Sequence, residues 1–512
     1  MPPGLSQPAR RLLLALRVVA SLVIALHLVV PLFPEEIAWG LWPVTYLPAP
    51  VRTVLALAAL VLAWGGDRLW QALPAANAAL ARVRFTSPSV RLAISLLAGV
   101  CFYLFRIQHL GWGDAKLLVK ALGDPYRLTY VWQAPLDVFL HAKGWQLGNA
   151  LFGWTSPVPV YRILSTLAGV VFVWVLIGLA ARLGRNRAER AVTVGLVLTL
   201  GTMQLFFGYV ENYPLMTLGV LVYAYLALRC LAGEIALAWP AIALAVTHAL
   251  HPSTIILAPS LLYLAFAPLA GAQARQPEDQ AREPEGRARQ PEGQARQPED
   301  QARQPEDQAP GNDRHPGGVP RARGWRIDAR SVLSVAVPYA LVFAGVVALM
   351  TAGDHGLDAL MGVDFPGGGD RIWFVPLFEI TTKWQHYTMF SVGHLVDIVN
   401  QQLLVAPMVW PSLILIALLA CRRLPREDAT GRFLLVMAGC HLLLTLVWNA
   451  DYGGQKDWDL FSPAALPAAL LLAWALPRAL AERTAFRAGA WAIIATQAFH
   501  LLAWIWRNTL AS

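Results

Sequence analysis

The sequence predicts an all-α fold, a polytopic transmembrane helical bundle of about thirteen spans with short amphipathic helices in its extracytoplasmic loops. Hydrophobic residues make up 56% of the chain and charged residues only 14%, against about 25% charged residues in soluble proteins. Apolar runs of roughly 18 residues or more recur along the chain, and each is long enough to cross a hydrocarbon core of about 30 Å.

The expected spans are connected by loops of very different length. They lie near residues 12–33, 48–65, 90–106, 158–181, 190–208, 213–232, 235–250, 252–270, 331–351, 401–421, 430–448, 461–480 and 486–506. The first run is too long for an ordinary signal-peptide core, so we expect a retained signal anchor. The four cysteines lie far apart, and their spacing predicts neither a disulfide framework nor a metal site.

Arginines in the short loops predict the orientation. They cluster after the second, fourth, tenth and twelfth spans, at Arg68, Arg82, Arg84, Arg91, Arg182, Arg185, Arg187, Arg190, Arg422, Arg423, Arg426, Arg432, Arg478, Arg483 and Arg487. With a cytoplasmic N-terminus, all of these loops are cytoplasmic in a multi-pass protein of the inner (plasma) membrane. The sequence pI of 9.6 then reflects the ends of spanning helices, and we expect no nucleic-acid partner.

The same orientation places all lysines of the chain on the extracytoplasmic side, at Lys116, Lys120, Lys143, Lys383 and Lys456. Most acids outside the segment 271–325 fall there too. We therefore expect any active face to be extracytoplasmic.

Residues 271–325 contain a repeated seven-residue unit that includes a proline and lacks an apolar seam. Proline inside a helix costs about 3 kcal/mol, and a segment with nothing to bury cannot offset its ordering entropy. We expect a disordered cytoplasmic linker. The linker separates two membrane parts of the chain. Before it come an N-terminal two-span addition (1–89) and a membrane core (90–270) that contains the long loop 106–157. After it come the C-terminal spans (326–512) with the external loops 352–400 and 449–460.

Asp114 lies in the long external loop and has two interpretations. It can cap a short helix that ends near Gly123. It can also act as a general base that takes a proton from an acceptor hydroxyl.

Glu211 is expected at the outer end of the fifth span, three residues before Pro214. Its charge can complement the dipole of the next helix, whose first turn suits a proline. Alternatively it lines a polar cavity, because ionisable residues at membrane depth are costly and usually functional.

Two histidines, His248 and His251, lie three residues apart before Pro252. They are interpreted either as ordinary interfacial histidines or as a metal pair. We favour hydrogen bonding of His251 to a phosphate or sugar over metal binding.

Two further external loops carry candidate ligand contacts. Lys383 and His386 are combined with aromatic residues within one helical turn, a pattern that suits a phosphate next to a sugar ring. Lys456, Asp457 and Asp459 lead into the twelfth span. Asp459 can cap that helix, but the alternation of charges around Trp458 favours a ligand-contacting loop.

With Asp114 in its first long external loop, the chain resembles the GT-C superfamily of membrane glycosyltransferases, such as protein O-mannosyltransferases and aminoarabinose transferases. The resemblance covers residues 90–270 and also uses the segments 133–136 and 209–214. Many members carry paired acids in this loop, whereas Ala115 follows Asp114 here. A second carboxylate would come from Asp124, Asp137 or Glu211.

The resemblance implies transfer of a sugar from a polyprenyl-phosphate donor to an acceptor hydroxyl on a lipid, glycan or protein. Asp114 would deprotonate the acceptor. Lys383 and Lys456, with His386 or His251, would stabilise the departing phosphate. No cofactor is required by the pattern, although a divalent cation (Mg²⁺ or Mn²⁺) is possible, and membrane lipids are expected partners.

Two other classes remain open. A transporter or flippase of lipid-linked or anionic substrates would carry charges and broken helices near the bilayer midplane. A non-enzymatic membrane scaffold would use the segment 271–325 to tether a partner.

Overall fold

The computed structural model describes residues 5–83, 85–266, 329–361 and 372–510. Its helices are α1 (Gln7–Val29), α2 (Glu35–Ala38), α3 (Ala49–Gln71), α4 (Pro74–Arg82), α5 (Pro88–Leu104), α6 (Ala115–Leu122), α7 (Pro135–Phe152), α8 (Val158–Leu183), α9 (Arg187–Leu198), α10 (Tyr213–Leu231), α11 (Ala238–Leu250), α12 (Ala258–Phe266), α13 (Ala329–Ala352), α14 (Leu357–Met361), α15 (Val392–Val405), α16 (Val409–Ala420), α17 (Ala429–Val447), α18 (Trp458–Phe461), α19 (Ala465–Ala479) and α20 (Arg483–Thr509).

The all-α membrane class is confirmed. Within the described ranges, the β-type pairing is limited to one isolated bridge between Phe374 and Trp448. The predicted linker 271–325 lies outside the described residues, so its disorder and the division of the chain into four parts remain predictions.

The predicted number of spans, about thirteen, is not confirmed. In the described part of the chain, eight helices are long and apolar enough to cross a membrane, and a bent pair raises the number to nine. That pair is α15 and α16, which meet at 101°. The difference arises because several apolar runs fold into shorter helices, such as α5 and α11, that fall below the length of a full crossing.

The span Trp458–Ala479, which joins α18 to α19, lies at the centre of the bundle, with 94% of its apolar window buried. Helices α9, α16 and α17 pack around it, α8 packs against α5 and α10, and α20 packs against α1 and α3. The two N-terminal spans are thus held by the C-terminal helix.

The arginine clusters lie together at one end of the bundle. Arg423 Nη1 donates to Ala479 O at 3.0 Å, and Arg478 Nη2 lies 3.3 Å from Asp428 Oδ2. Arg185 reaches Pro477 O at 3.5 Å. Because all of these contacts involve the C-terminal end of α19, the loops that carry Arg185, Arg423 and Arg478 share one end of the bundle. A common cytoplasmic side for these loops remains a prediction.

The long loop 106–157 contains two helices. Helix α6 is short, as expected after Asp114, whereas α7 has 18 residues and is longer than the short helix expected there. Helix α6 begins after Asp114, and α7 begins at Pro135 and ends at Gly153, whose φ of +66° is the left-handed conformation that favours glycine. Small apolar residues of both helices, including Ala115 and Ala142, pack with Tyr161 of α8. This packing fixes the start of α6, and with it Asp114.

Candidate functional site

Three segments that are distant in sequence meet at the end of the bundle opposite the arginines. They are the start of α6, the residues that precede α10, and the start of the span Trp458–Ala479. Each segment leads into a helix, so its polar side chains lie at the helix end while the apolar residues that follow are buried. The result is a cluster of carboxyl groups around Glu211.

Asp114 occupies the N-cap position of α6, but its side chain makes no capping hydrogen bond. The capping interpretation therefore does not account for its carboxyl group. The side chain is half-buried. Burial, and then the charge of Asp451, raise the pKa of Asp114 above its ordinary value. A carboxylate with a raised pKa is a stronger base.

Glu211 is buried, with 3% of its surface exposed. Its Oε1 accepts a hydrogen bond from the backbone amide of Asp114, 97 residues away, and its Oε2 accepts one from Asn212 at 3.2 Å. Burial, followed by repulsion from Asp459 and Asp114, raises the pKa of Glu211 well above its ordinary value. The raised pKa shifts Glu211 toward its protonated form.

Asp459 is buried beside Glu211. Its Oδ2 accepts a 2.7 Å hydrogen bond from the hydroxyl of Tyr209, and its Oδ1 accepts one from the Leu460 amide at 2.9 Å. The Tyr209 hydroxyl is directed at this carboxyl because the Tyr209 amide donates to Ser165 Oγ on α8 at 3.1 Å. Asp459 thus does more than begin a helix.

Gly113 allows these groups to approach the loop. Its φ of +55° lies in the left-handed region. A Cβ at this position would lie 2.6 Å from Glu211 Oε1 and 3.1 Å from the Tyr209 hydroxyl, and it would overlap Asp459 Oδ2. Only glycine fits without displacing the carboxyl groups.

The loop before α18 completes the acidic cluster. Asp457 Oδ2 accepts a 2.9 Å hydrogen bond from the Tyr452 amide, and Asp451 Oδ1 accepts one from Asn449 Nδ2 at 2.7 Å. Burial raises the pKa of Asp457 to about 8, and the charges of Asp459, Asp114 and Asp451 act in the same direction. Asp457 is therefore largely protonated at neutral pH.

The predicted residues of the loop 352–400 lie at the rim of this cluster. His386 is exposed, and its Nε2 lies 2.9 Å from Asp451 O. Lys383 is also exposed, with its Nζ 4.9 Å from the centre of the Trp384 ring. Trp384 in turn packs edge-on against Tyr452 at 5.8 Å. Both side chains therefore flank the loop that carries Asp457.

The two remaining predicted residues, Lys456 and His251, lie in different surroundings. Lys456 is exposed next to Asp457, and it makes no ion pair with any residue that the structure describes. His251 is buried behind Tyr213, with ring centres 5.1 Å apart, and its Nδ1 lies 2.8 Å from Ser253 Oγ. Their predicted contacts with phosphate remain predictions.

The first histidine of the predicted pair, His248, contacts two hydroxyl groups. His248 Nδ1 lies 2.7 Å from Thr254 Oγ1, and its Nε2 lies 2.9 Å from the hydroxyl of Tyr339. Both ring nitrogens of His248 are thus occupied by hydroxyl groups. This agrees with the interpretation of His248 as an ordinary interfacial histidine.

Among the candidates for a second carboxylate, Glu211 is the one in contact with Asp114. Asp124 is exposed and pairs with Arg127 at 2.5 Å. Asp137 is fully buried in α7, with its Oδ2 2.9 Å from His141 Nδ1, and burial raises its pKa.

A divalent cation would suit carboxylate ligands chemically. Across the described ranges, however, no three His, Cys, Asp or Glu side chains are positioned to hold a metal ion. Glu211, Asp457 and Asp459 instead accept hydrogen bonds from backbone amides or from a hydroxyl group.

Three residues of the acidic cluster were not singled out from the sequence: Tyr209, Gly113 and Asp451. Tyr209 resembles an ordinary membrane-interface tyrosine, and Gly113 resembles a loop glycine. Asp451 lay in a segment rich in acids, and nothing in its local sequence distinguished it. Contacts between distant segments give these residues their roles.

No protein-family model matches the chain, and no curated protein matches it. Among solved structures, the chain is similar to ArnT from Cupriavidus metallidurans, described as bound to undecaprenyl phosphate. The two share 10% sequence identity with a TM-score of 0.44, over 83% of this chain and 78% of that chain. A similarity this distant does not identify a substrate or a reaction.

Proposed function

We propose that this protein is a membrane glycosyltransferase of the GT-C type, which transfers a sugar from a polyprenyl-phosphate donor to an acceptor hydroxyl on the extracytoplasmic face. One observation carries the proposal. Asp114, Glu211 and Asp459, which come from three distant segments, gather at the end of the bundle opposite the arginine loops. A site at this level can receive a lipid-linked substrate from the membrane and an acceptor from water.

Asp114 is the general base in this proposal. It is half-buried, its carboxyl group is free of the capping bond, and its pKa is raised. General bases work best when their pKa is close to the working pH, and they typically contribute 10²–10⁴-fold to the rate. Glu211 orients this base, because its carboxyl oxygen holds the backbone amide of Asp114.

The transfer step balances without a cofactor. The acceptor oxygen forms a bond to the anomeric carbon of the sugar, and the bond between that carbon and the phosphate oxygen breaks. The electron pair leaves with the polyprenyl phosphate. The acceptor proton moves to the Asp114 carboxylate, and water later removes it.

The two carboxyl groups with strongly raised pKa values have a different role. Asp457, with a pKa of about 8, holds a proton at neutral pH, and the raised pKa of Glu211 favours its protonated form. Each carboxyl group can donate a hydrogen bond to a sugar hydroxyl when it is protonated. A protonated carboxyl group also repels the phosphate of the donor less than an ionised carboxylate does.

Lys383 and Lys456, assisted by His386, are proposed to bind the phosphate. All three are exposed beside the acidic cluster, where a lipid phosphate could reach them. The charge on the leaving group grows during transfer, and fixed cations stabilise it. Losing one such contact is expected to cost about 2.7–4 kcal/mol in the barrier, by analogy with oxyanion donors.

A transporter or flippase is the main alternative, and the bent pair α15–α16 is the feature that favours it. The position of the acids argues against a transporter, because they are clustered at the ends of helices rather than near the middle of the membrane spans. A transporter should bring about no covalent change in the donor, so release of free polyprenyl phosphate separates the two classes.

The test is the cell-envelope glycan profile of a deletion strain complemented with Asp114→Asn or Asp124→Asn. Both substitutions remove one carboxylate from the same loop, but Asp124 is exposed and lies outside the cluster. We expect Asp114→Asn to accumulate normally in the membrane while one glycan species is lost, and Asp124→Asn to restore the profile. Restoration by Asp114→Asn would refute the assignment.

A further inference from the structure

A cavity lies at the arginine-rich end of the molecule, opposite the acidic cluster. Its volume is about 670 Å³, in the range of small-molecule sites, and it is lined by residues of α5, α8 and α9. Ile94, Ile177 and Val194 form an apolar wall. Arg187, which is exposed, and Arg190, which is half-buried, line the side that we call the mouth. The acidic cluster contacts the first half of α8 through Ser165, whereas Arg190 Nε donates to Gly184 O just beyond its end.

The structure holds both guanidinium groups in place. Arg187 lies over the ring of Phe85 at 5.3 Å and donates to the backbone carbonyl of Val83. Arg190 is tied to Gly184 by a 3.1 Å hydrogen bond. Two anchored guanidinium groups beside an apolar wall form a fixed, positively charged entrance.

The arginines at this end of the molecule differ in whether they form an ion pair with an acid. Arg185 pairs with Glu189 at 3.0 Å, Arg478 lies 3.3 Å from Asp428, and Arg182 pairs with Glu234. Arg190, by contrast, makes no ion pair with any residue in the described ranges. Its charge is available to an external anion.

The position of these arginines supports the same conclusion. Helix α9 begins at Arg187, with Asn186 as its N-cap. Cations in the first turn oppose the helix dipole, and Glu189 offsets only part of this charge. An anion at the mouth would interact favourably with the guanidinium groups and with the helix N-terminus.

We propose that this cavity binds an anionic phospholipid of the surrounding membrane. The phosphate group lies between Arg187 and Arg190, and one acyl chain runs along the wall formed by Ile94, Ile177 and Val194. The cavity lies where the membrane spans meet their arginine-rich loops, which is the level of lipid head groups. This proposal is independent of the sugar-transfer site.

The test uses the full-length protein, delipidated in detergent and titrated with short-chain phosphatidylglycerol, short-chain phosphatidylcholine or inorganic phosphate. The measured quantity is the melting temperature, because a ligand that binds the folded state raises it. We expect saturable stabilisation by phosphatidylglycerol alone. Equal stabilisation by phosphatidylcholine would indicate unspecific solvation, and equal stabilisation by inorganic phosphate would indicate a soluble anion. Either result would overturn the proposal.

Three variants locate the effect. Arg190→Gln removes a charge-assisted contact, and Ala191→Phe fills the cavity from an exposed lining position without changing the charge. We expect each to weaken phosphatidylglycerol binding about tenfold. Arg422→Gln, at an exposed arginine of the same end, should change it less than twofold. Equal affinities of all three variants for phosphatidylglycerol would mean that the lipid binds elsewhere. The melting temperature of each variant without lipid shows whether that variant is folded.

Discussion

The hydroxyl of Tyr209 donates a 2.7 Å hydrogen bond to Asp459 Oδ2, across 250 residues of chain. Both side chains are buried. The bond joins the segment before α10 to the start of the central span, the same two segments that enclose Gly113. Tyr209 is therefore a positioning residue for the acidic cluster.

Tyr209→Phe tests this link. The substitution leaves the ring in place but removes the donor, so a buried carboxyl group loses a hydrogen bond. We expect a loss of about 1–3 kcal/mol in stability, together with reduced transfer. Thermal unfolding in detergent measures the first effect. Tyr126→Phe, at an exposed tyrosine, serves as the control, and equal melting temperatures for both variants would refute a positioning role.

Gly113→Ala tests the close approach of the carboxyl groups. Alanine at this position is strained by its positive φ, and its Cβ overlaps Asp459. Gly153→Ala is a matched control, because Gly153 has a φ of +66° and a Cβ added there would meet no described atom within 4 Å. The strain alone costs about 1–2 kcal/mol in either variant.

The difference in activity and melting temperature between these two alanine variants measures the effect of the overlap between the added Cβ and Asp459. We expect Gly113→Ala to lose transfer activity and to unfold at a lower temperature than Gly153→Ala. If both variants behave alike, the cluster can move aside, and its tight geometry is not needed for function.

Stability should fall as the pH rises, because Asp457 binds its proton more tightly in the folded protein. Its pKa is about 8 in the fold and about 3.9 in an unfolded chain. The folded state therefore holds more protons between pH 4 and pH 8, and stability decreases across that window. The slope from one such group is at most about 1.4 kcal/mol per pH unit.

Asp457→Asn should flatten this dependence while keeping an oxygen to accept the hydrogen bond from Tyr452. Melting temperatures from pH 5 to pH 9 provide the measurement, and Asp124→Asn is the control. An unchanged slope in Asp457→Asn would mean that Asp457 is ionised throughout this range.

Lys383→Gln and Lys456→Gln should each lower the rate of transfer about 100-fold, because a developing phosphate charge loses a fixed cation. Lys143→Gln provides the control, since Lys143 lies on α7 and donates to Gln146 at 3.1 Å. Initial rates at saturating donor are the measurement. Rates within twofold of the unchanged protein would remove the lysines from the mechanism.

Local sequence was sufficient to predict the elements that depend on local properties. Apolar runs predicted the long helices, and Asp114 marked the start of α6. The arginine clusters predicted a shared end of the bundle because the positive-inside rule depends on composition rather than on packing.

The site depends on contacts that local sequence does not encode. The bond from Tyr209 to Asp459 joins residues whose neighbours give no sign of each other. The need for glycine at position 113 follows from the close approach of Glu211 and Asp459, which the local sequence does not show. The 101° bend between α15 and α16, by contrast, falls at Pro407. Proline removes a helical hydrogen bond and disfavours the helical conformation of the preceding residue, so the break lies at a local signal that the predicted span 401–421 did not use.

The central claim is that Asp114 activates an acceptor hydroxyl. The most direct measurement is release of polyprenyl phosphate by purified Asp114→Asn in proteoliposomes, supplied with lipid-linked sugars extracted from the same cells. The account predicts that kcat falls at least about 100-fold relative to Asp124→Asn, while binding of the donor is unchanged. Equal turnover by the two variants would contradict it.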